Sequence, residues 1–332
     1  MIHTFKMFFE LDYQEVQDLQ KKFNIKYTEF NEHFAGSYAG VTMSIILCKD
    51  GKWRLYMVVD AIELLGKPDI NEADCGSIET ELKYILSDIF GHSAYYRNHV
   101  LLRIDYRYDV IIKNKNDRQL LLTLYKKLTK SHRFQKKYLG KLKDGVYVPY
   151  KTTVYHASKS VESIVYDKER ERTEKGMRVK DYEKDVLRFE VHLKRDHLYY
   201  SENKKDNCSR KRKLAEYMKK EVYQEYFQKY LLHIYYPGSF CKIDEARKRL
   251  RQSTLTNTNK LKLIDFLKQV SSHSVDTPLF NKDKKKRISK GTYNRRLAML
   301  KEIDINPILI PKNYSPKAPS ILKNPLDDFP HC

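Results

Sequence analysis

The sequence predicts an α+β fold: a central, mainly antiparallel sheet with packed helices, followed by an α-helical C-terminal region. Three observations predict it. Val41–Cys48 and Lys52–Val59 are apolar runs joined by Lys49-Asp50-Gly51, and Asp-Gly between such runs is a hairpin signal. Leu102–Val110 and Leu187–Lys194 alternate charged and apolar residues with the two-residue period of a strand. Elsewhere the period lengthens to that of a helix, as in Glu72–Phe90 through Ile78, Leu82, Ile85, Leu86 and Ile89.

The elements follow in order. Residues 2–10 alternate weakly and predict a first strand. Asp12-Tyr13-Gln14-Glu15 has the form of a capping box and opens a helix to about Phe23. After the hairpin and the Glu72–Phe90 helix, His99–Ile112 predicts a long strand and Asp117–Leu128 a helix. Val146–Tyr155 and Ser160–Tyr166 predict another antiparallel pair, the charged Asp167–Lys184 a loop or ribbon tip, and Leu187–Lys194 the next strand. Beyond residue 204 the character changes. Lys211–Ile234 predicts one long helix rich in Lys and Tyr, and Asp244–Leu250, Thr256–Val270 and Thr292–Ile303 predict shorter ones. The proline-rich, aperiodic residues 312–332 predict an extended tail. The expected division is therefore a core over 1–203, a basic helical region over 204–311 and a tail over 312–332, with no fixed-period repeat.

The 332 residues carry a formal charge of +21, from 64 Lys+Arg against 43 Asp+Glu. The excess peaks in Lys204–Lys220 and Lys282–Arg296. Such a surface favours a polyanionic partner, nucleic acid first. A membrane partner is disfavoured, because no apolar stretch approaches the length of a span and no lipidation motif is visible. Five widely spaced cysteines without a Cys-x-x-Cys argue against a disulfide framework or zinc ribbon. The N-terminal Met1-Ile-His-Thr-Phe-Lys6 lacks the pattern of a secretory signal, so a reducing cytoplasm is the expected location. Tyrosine occurs 26 times; interleaved with lysine it suits stacking on single-stranded bases, though most of these rings are expected to pack in the fold.

The candidate site begins on Leu187–Lys194. Leu187, Phe189, Val191 and Leu193 point one way, and Arg188, Glu190, His192 and Lys194 the other. Burying that charged face needs partners, whereas as the floor of an open site it makes sense. Glu190 and His192 can present two metal ligands side by side. On the second charged strand, Arg103, Asp105, Arg107 and Asp109 share a face. If the two strands are neighbours, Asp105 or Asp109 could join Glu190 and His192. Carboxylates with one imidazole suit Mg²⁺ or Mn²⁺ better than zinc, and such an ion would polarise a phosphate oxygen. The rival reading is cross-strand ion pairing on a solvated sheet face. Tyr199 and Tyr200 follow closely as nucleophile candidates. A phenol is a poor nucleophile near neutral pH and needs a base, a cation or an activated electrophile; Lys194, Arg195 and His197 lie between. The i,i+4 pair Tyr226 and Tyr230 is an alternative that also reads as a packing stripe. Asp167 could add a ligand and Lys168 neutralise phosphate, or both could simply end a strand.

Leu102-Arg-Ile-Asp-Tyr-Arg-Tyr-Asp109, Tyr166-Asp-Lys-Glu169 and Leu187-Arg-Phe-Glu-Val-His-Leu-Lys194, in that order, resemble the rolling-circle replication initiators. The likeness is to the phage/plasmid replication proteins typified by the filamentous-phage gene II protein, and next to the Gram-positive plasmid initiators. It covers residues 100–200 well and Thr292–Ile303 loosely. It implies an HUH-type endonuclease fold, a tyrosine that nicks one origin strand and stays joined to its 5′ end, and later rejoining of that strand. Glu190 then corresponds to the carboxylate of Arg-Phe-Glu, His192 to the second chelating position, Asp105 to the acid of Arg-Ile-Asp and Tyr200 to the nucleophile. The sequence departs from the pattern in having Glu190-Val-His192 and no His-apolar-His triplet. Host helicase and polymerase are the further partners so implied.

In the C-terminal region Ser289 or Thr292 could cap a short basic helix with Leu297, Leu300 and Ile303 on its apolar side. With Leu261–Val270 it could form a helix-turn-helix, Arg295 and Arg296 facing DNA. Lys211, Arg212, Lys213 and Lys285 are the other expected DNA contacts. The expected activity is metal-dependent, site-specific strand cleavage and transfer on DNA, as origin duplex and single strand. The rivals are a non-catalytic DNA-binding protein and a relaxase or transposase of the same chemistry.

Overall fold

The computed structural model describes all residues except 128–134, 138, 144–145, 150–151, 205–208, 273–274, 276, 280–287 and 331–332. Its strands before the C-terminal region are β1 (Ile2–Leu11), β2 (Val41–Leu47), β3 (Trp53–Asp60), β4 (Val100–Ile111), β5 (Gln135–Lys137), β6 (Leu139–Lys143), β7 (Val146–Pro149), β8 (Thr153–Ala157), β9 (Val161–Asp167) and β10 (Val186–Leu193). Eight form one sheet in the order β2-β3-β1-β4-β10-β9-β8-β5, and every pairing is antiparallel. With helices packed against this sheet, the fold is α+β.

Strand alternation decides which face is covered. Phe5, Met7, Phe9, Leu55, Met57, Val59, Ile104, Tyr106, Phe189 and Val191 are buried together with Ile78, Leu82, Leu86, Tyr226 and Phe227 from the helices. The opposite face carries Lys6, Arg103, Asp105, Glu190 and His192. The register sets Asp105 opposite His192 and Arg107 opposite Glu190, so β4 and β10 are neighbours. The two charged strands therefore form the middle of one polar face.

Three expectations change. Asp167–Lys184 contains a helix, Lys168–Glu174, and a short turn of helix at Asp181–Glu183. Its charge all round hides the period in the sequence. Asp167 caps it by accepting from the Arg170 N–H, and Arg170–Glu174 is an i,i+4 ion pair along it. Lys211–Ile234 is not one helix. Leu214–Tyr217, Lys220–Phe227 and a π-helical turn at Gln228–Leu232 divide it. Tertiary contacts hold its start extended: Lys213 donates to the carbonyls of Arg97 and His99, and Leu101 N–H to that of Arg212. The expected tail is packed. Ile321–Leu322 pairs with Phe240–Cys241, and Phe329 stacks on Phe227 at 5.0 Å between centroids.

The C-terminal helices are Ile243–Gln252, Asn257–Ser272 and Lys290–Glu302. Residues 273–289 separate the last two, too long a connection for the tight turn of a helix-turn-helix. They still meet, Phe266 and Tyr293 lying 5.6 Å apart.

Gly40, at φ +69°, sits where an added Cβ would lie 2.6 Å from the Asp60 carbonyl oxygen and 2.8 Å from Glu63 Cβ. Gly40→Ala is expected to destabilise the protein by about 2–4 kcal/mol, from left-handed backbone strain plus the clash. The midpoint of urea unfolding measures it, and an unchanged midpoint would refute the clash.

Candidate active site

Glu190 lies between two imidazoles on the polar face. His192 Nε2 is 3.0 Å from Glu190 Oε2, and His3 Nδ1 is 3.6 Å from Oε1. His3 Nε2 in turn lies 3.7 Å from Asp60 Oδ2. A register shift in β1 between Ile2 and Phe5 accompanies the placement of His3. The Tyr166 hydroxyl donates to Glu190 Oε1 at 2.8 Å, so the phenol meeting this group is Tyr166, which is buried. On the other side His192 Nδ1 is 3.2 Å from Glu162, which also takes Lys194 at 2.5 Å.

Burial by itself would lower the His192 pKa, but Asp105, Glu162 and Glu190 outweigh it and push it up to about 10. Burial would raise Glu190, yet hydrogen bonds from His192 and His3 hold it well below the usual carboxylate range. Glu162 is held low in the same way, against its own burial, by His192 and Lys194. The group is thus an imidazolium among carboxylates, and a cation taking His192 as a ligand must first displace its proton.

The expected ligands divide. Glu190 and His192 are together, and Asp105 faces His192 across the strands but pairs with Arg103 at 2.7 Å. Asp109 does not join them: Arg188, fully buried, grips both its oxygens at 2.7 and 2.8 Å. Asp167 is held by Arg118 at 2.8 Å. Among the described residues no group of three or more His, Cys, Asp or Glu is arranged to hold a metal ion. The donors nevertheless have the right chemistry for a divalent cation at Glu190 and His192, with His3 beside them.

Tyr199 and Tyr200 lie on the helix Arg195–Glu202, immediately after β10. Tyr200 is 66% exposed and lines a cleft of ≈ 830 Å³ with His197, Lys204, Arg210, Lys219 and Lys229. Tyr199 packs under Arg212, whose guanidinium lies 5.4 Å above its ring. Tyr226 and Tyr230 also line the cleft, but they are buried and stack on each other at 5.9 Å; Tyr226 accepts from Arg210 at 2.9 Å. That is the packing stripe. His197 is pushed down to about 4 by burial and by nearby Lys229, Lys204 and Arg210, so it is neutral at pH 7.

Among the expected DNA contacts, Arg195, Lys211 and Arg295 are exposed. Arg296 is half-buried over the Phe266 ring at 5.8 Å. Lys168 is not available to phosphate: it is buried, paired with Glu171 at 2.9 Å and Glu183 at 3.7 Å. Arg212 is paired with Glu202 at 2.7 Å, and Lys213 is spent on backbone carbonyls. Lys285 lies outside the described residues. Sequence reasoning missed His3, Asp60, Glu162 and the Tyr166 contact. None of them stands out in its own segment: His3 alternates with apolar residues as Thr4 and Lys6 nearby do.

No protein-family profile matches the chain, and no curated protein does. Among the described residues no helix is long and apolar enough to cross a membrane. A solved structure of a rolling circle replication initiator protein from Geobacillus stearothermophilus is similar over 60% of this chain and 76% of that chain, at 13% identity and a TM-score of 0.28. So distant a likeness assigns neither activity nor site.

Proposed function

We propose that this protein cleaves and rejoins a DNA strand through Tyr200, with a divalent cation at Glu190 and His192, and that it serves as a rolling-circle replication initiator. The observation that carries the reading is an accessible phenol, Tyr200, on the helix directly following the Glu190–His192 strand, in a cleft lined by Lys204, Lys229, Arg210 and Lys219, the last two paired with Glu225 and Glu216; the cleft holds Tyr226 and Tyr230 from the helix-covered side of the sheet, so the strand must reach from there to Glu190 and His192. The cations draw the phosphodiester in and offset the charge that grows on its oxygens. The Tyr200 oxygen attacks phosphorus and loses its proton to water. The bond from phosphorus to the 3′ oxygen breaks, and that oxygen takes up a proton as a free 3′-OH. The 5′ phosphate remains on Tyr200, and attack by a 3′-OH reverses the step. Mg²⁺ or Mn²⁺, when bound, polarises a non-bridging oxygen.

One observation favours the rival, binding without cleavage: the carboxylates of Asp105 and Asp109 are both taken by arginines. A supercoiled plasmid bearing a candidate origin, incubated with Mn²⁺, separates the two. A nick with a covalent 5′ adduct is expected, reduced at least about 100-fold in Tyr200→Phe and changed less than about threefold in Tyr226→Phe. Retention without a nick supports the rival, and an adduct that survives Tyr200→Phe moves the nucleophile elsewhere.

A further inference from the structure

The cleft beside Tyr200 draws its walls from the turn joining β8 to β9, the helix Arg195–Glu202 and the helical segments Lys220–Phe227 and Gln228–Leu232. Lys204, Arg210, Lys219 and Lys229 line it against the carboxylates Glu216 and Glu225, so its lining carries two net positive charges. Arg210 lies 3.1 Å from Glu225 and Lys219 2.8 Å from Glu216, which places both carboxylates on those two cations. His197 stands on the same wall and is only 9% exposed. Its Nδ1 is 3.5 Å from the Tyr230 hydroxyl, whereas its Nε2 is buried with no hydrogen-bond partner. A buried polar atom left in this state costs free energy that a ligand can return. Lys229, Lys204 and Arg210 all act on the ring by their charge, so the orphan nitrogen sits where positive potential is concentrated.

We propose that this cleft binds a phosphate monoester of nucleotide size, its dianion held by Lys204 and Lys229 and hydrogen-bonded to His197 Nε2. A monoester carries close to two negative charges at neutral pH and so matches the lining, whereas each diester of a strand carries one. In the complex the Tyr230 hydroxyl donates to Nδ1, and Nε2 keeps the ring proton and donates it to a phosphate oxygen. Ser160 and Ser209 add hydroxyls on the wall. The volume of ≈ 830 Å³ is that of a small-molecule site and leaves room for a nucleoside beside the phosphate. The bound ligand lies beside Tyr200 and closes the cleft to a strand; that consequence rests on the proposed function, and the anion site does not.

The test is calorimetric titration of the full chain in a phosphate-free buffer near neutral pH, with thymidine 5′-monophosphate, inorganic phosphate and thymidine as probes. The monophosphate is expected to bind with a Kd below about 1 mM, and thymidine not to bind. Inorganic phosphate that binds equally well supports recognition of the phosphate alone, and phosphate that binds at least about 10-fold more weakly supports a nucleotide. Lys204→Gln, Lys229→Gln and His197→Leu should each weaken the monophosphate about 10-fold, the loss of one charge-assisted hydrogen bond. Lys204 lies outside any helix or strand, so Lys204→Gln keeps the test open if His197→Leu fails to fold. Lys21→Gln, the same loss of charge at an exposed position of the helix Tyr13–Phe23, should change the Kd less than about twofold. A monophosphate Kd above about 1 mM overturns the site, as do cleft variants that bind as the parent does or a Lys21→Gln loss equal to theirs. On the supercoiled plasmid, saturating monophosphate should slow adduct formation at least about 10-fold, and an unchanged rate would overturn the blocking of the cleft. Monophosphate binding by a parent that never forms an adduct keeps the site and removes Tyr200 chemistry; an adduct without monophosphate binding does the reverse.

Discussion

Arg118→Ala is expected to destabilise the protein by about 3–5 kcal/mol. The guanidinium is buried and reaches Asp167 at 2.8 Å, Glu169 at 2.9 Å, Asp185 at 2.7 Å and the Ile112 carbonyl at 2.6 Å. These partners lie at the ends of β9, β4 and β10 and on the Lys168–Glu174 helix, so one side chain ties that end of the sheet together. Without it Glu169 and Asp185 can rehydrate, because both are partly exposed. Asp167 cannot, and it is left as a buried carboxylate with only the Arg170 N–H for a partner. The loss comes chiefly from that uncompensated charge, so Arg118→Ala combined with Asp167→Asn should recover part of it. Urea unfolding of the four proteins of this cycle measures the coupling. A single-variant loss below about 1 kcal/mol would mean that water enters and solvates the site.

Acid is expected to destabilise the fold through His197. Its folded pKa of about 4 lies below the ordinary value of 6.5 because the ring is buried among cations. A group held neutral in this way stabilises the protein fully above the unfolded pKa, and that contribution drains away as pH falls from 6.5 through 4. Partial solvent access keeps the loss to about 2–3 kcal/mol over this window. His197→Leu should flatten the profile there while leaving stability at pH 8 within about 1 kcal/mol. Thermal melts from pH 8 to pH 4 check the sign, and a parallel profile for parent and variant would assign the acid loss to other groups. The same ring packs edge-on against Tyr226 and Tyr230 at 5.3 and 5.4 Å, so protonating it places a charge beneath the cleft that holds Tyr200.

The strand pattern was legible because alternation is a local property. Leu187, Phe189, Val191 and Leu193 are buried on the helix side, as a period of two requires. The neighbouring of β4 and β10 could be stated only as a condition, since register between strands distant in sequence is set by packing. The same gap explains Asp109 and Lys168. Each shares a face or segment with the expected site, but a buried arginine and two glutamates claim them, and such pairings join residues far apart in sequence or hidden in a charged stretch. His3 and Glu162 were missed for the converse reason: each is ordinary in its own strand and meaningful only beside Glu190 or His192. The tail was misread because Leu326 and Phe329 make a hydrophobic anchor too sparse to show a period.

By itself the sequence determined the α+β class, the polar and apolar sides of the two charged strands, and the strongly basic charge that points to a polyanion. These follow from side-chain chemistry and its spacing along one segment. Only the tertiary structure decided which charges are spent on one another, which imidazoles flank Glu190, and which tyrosine opens onto the cleft with Lys204 and Lys229, because those depend on distances between segments that the chain order does not encode.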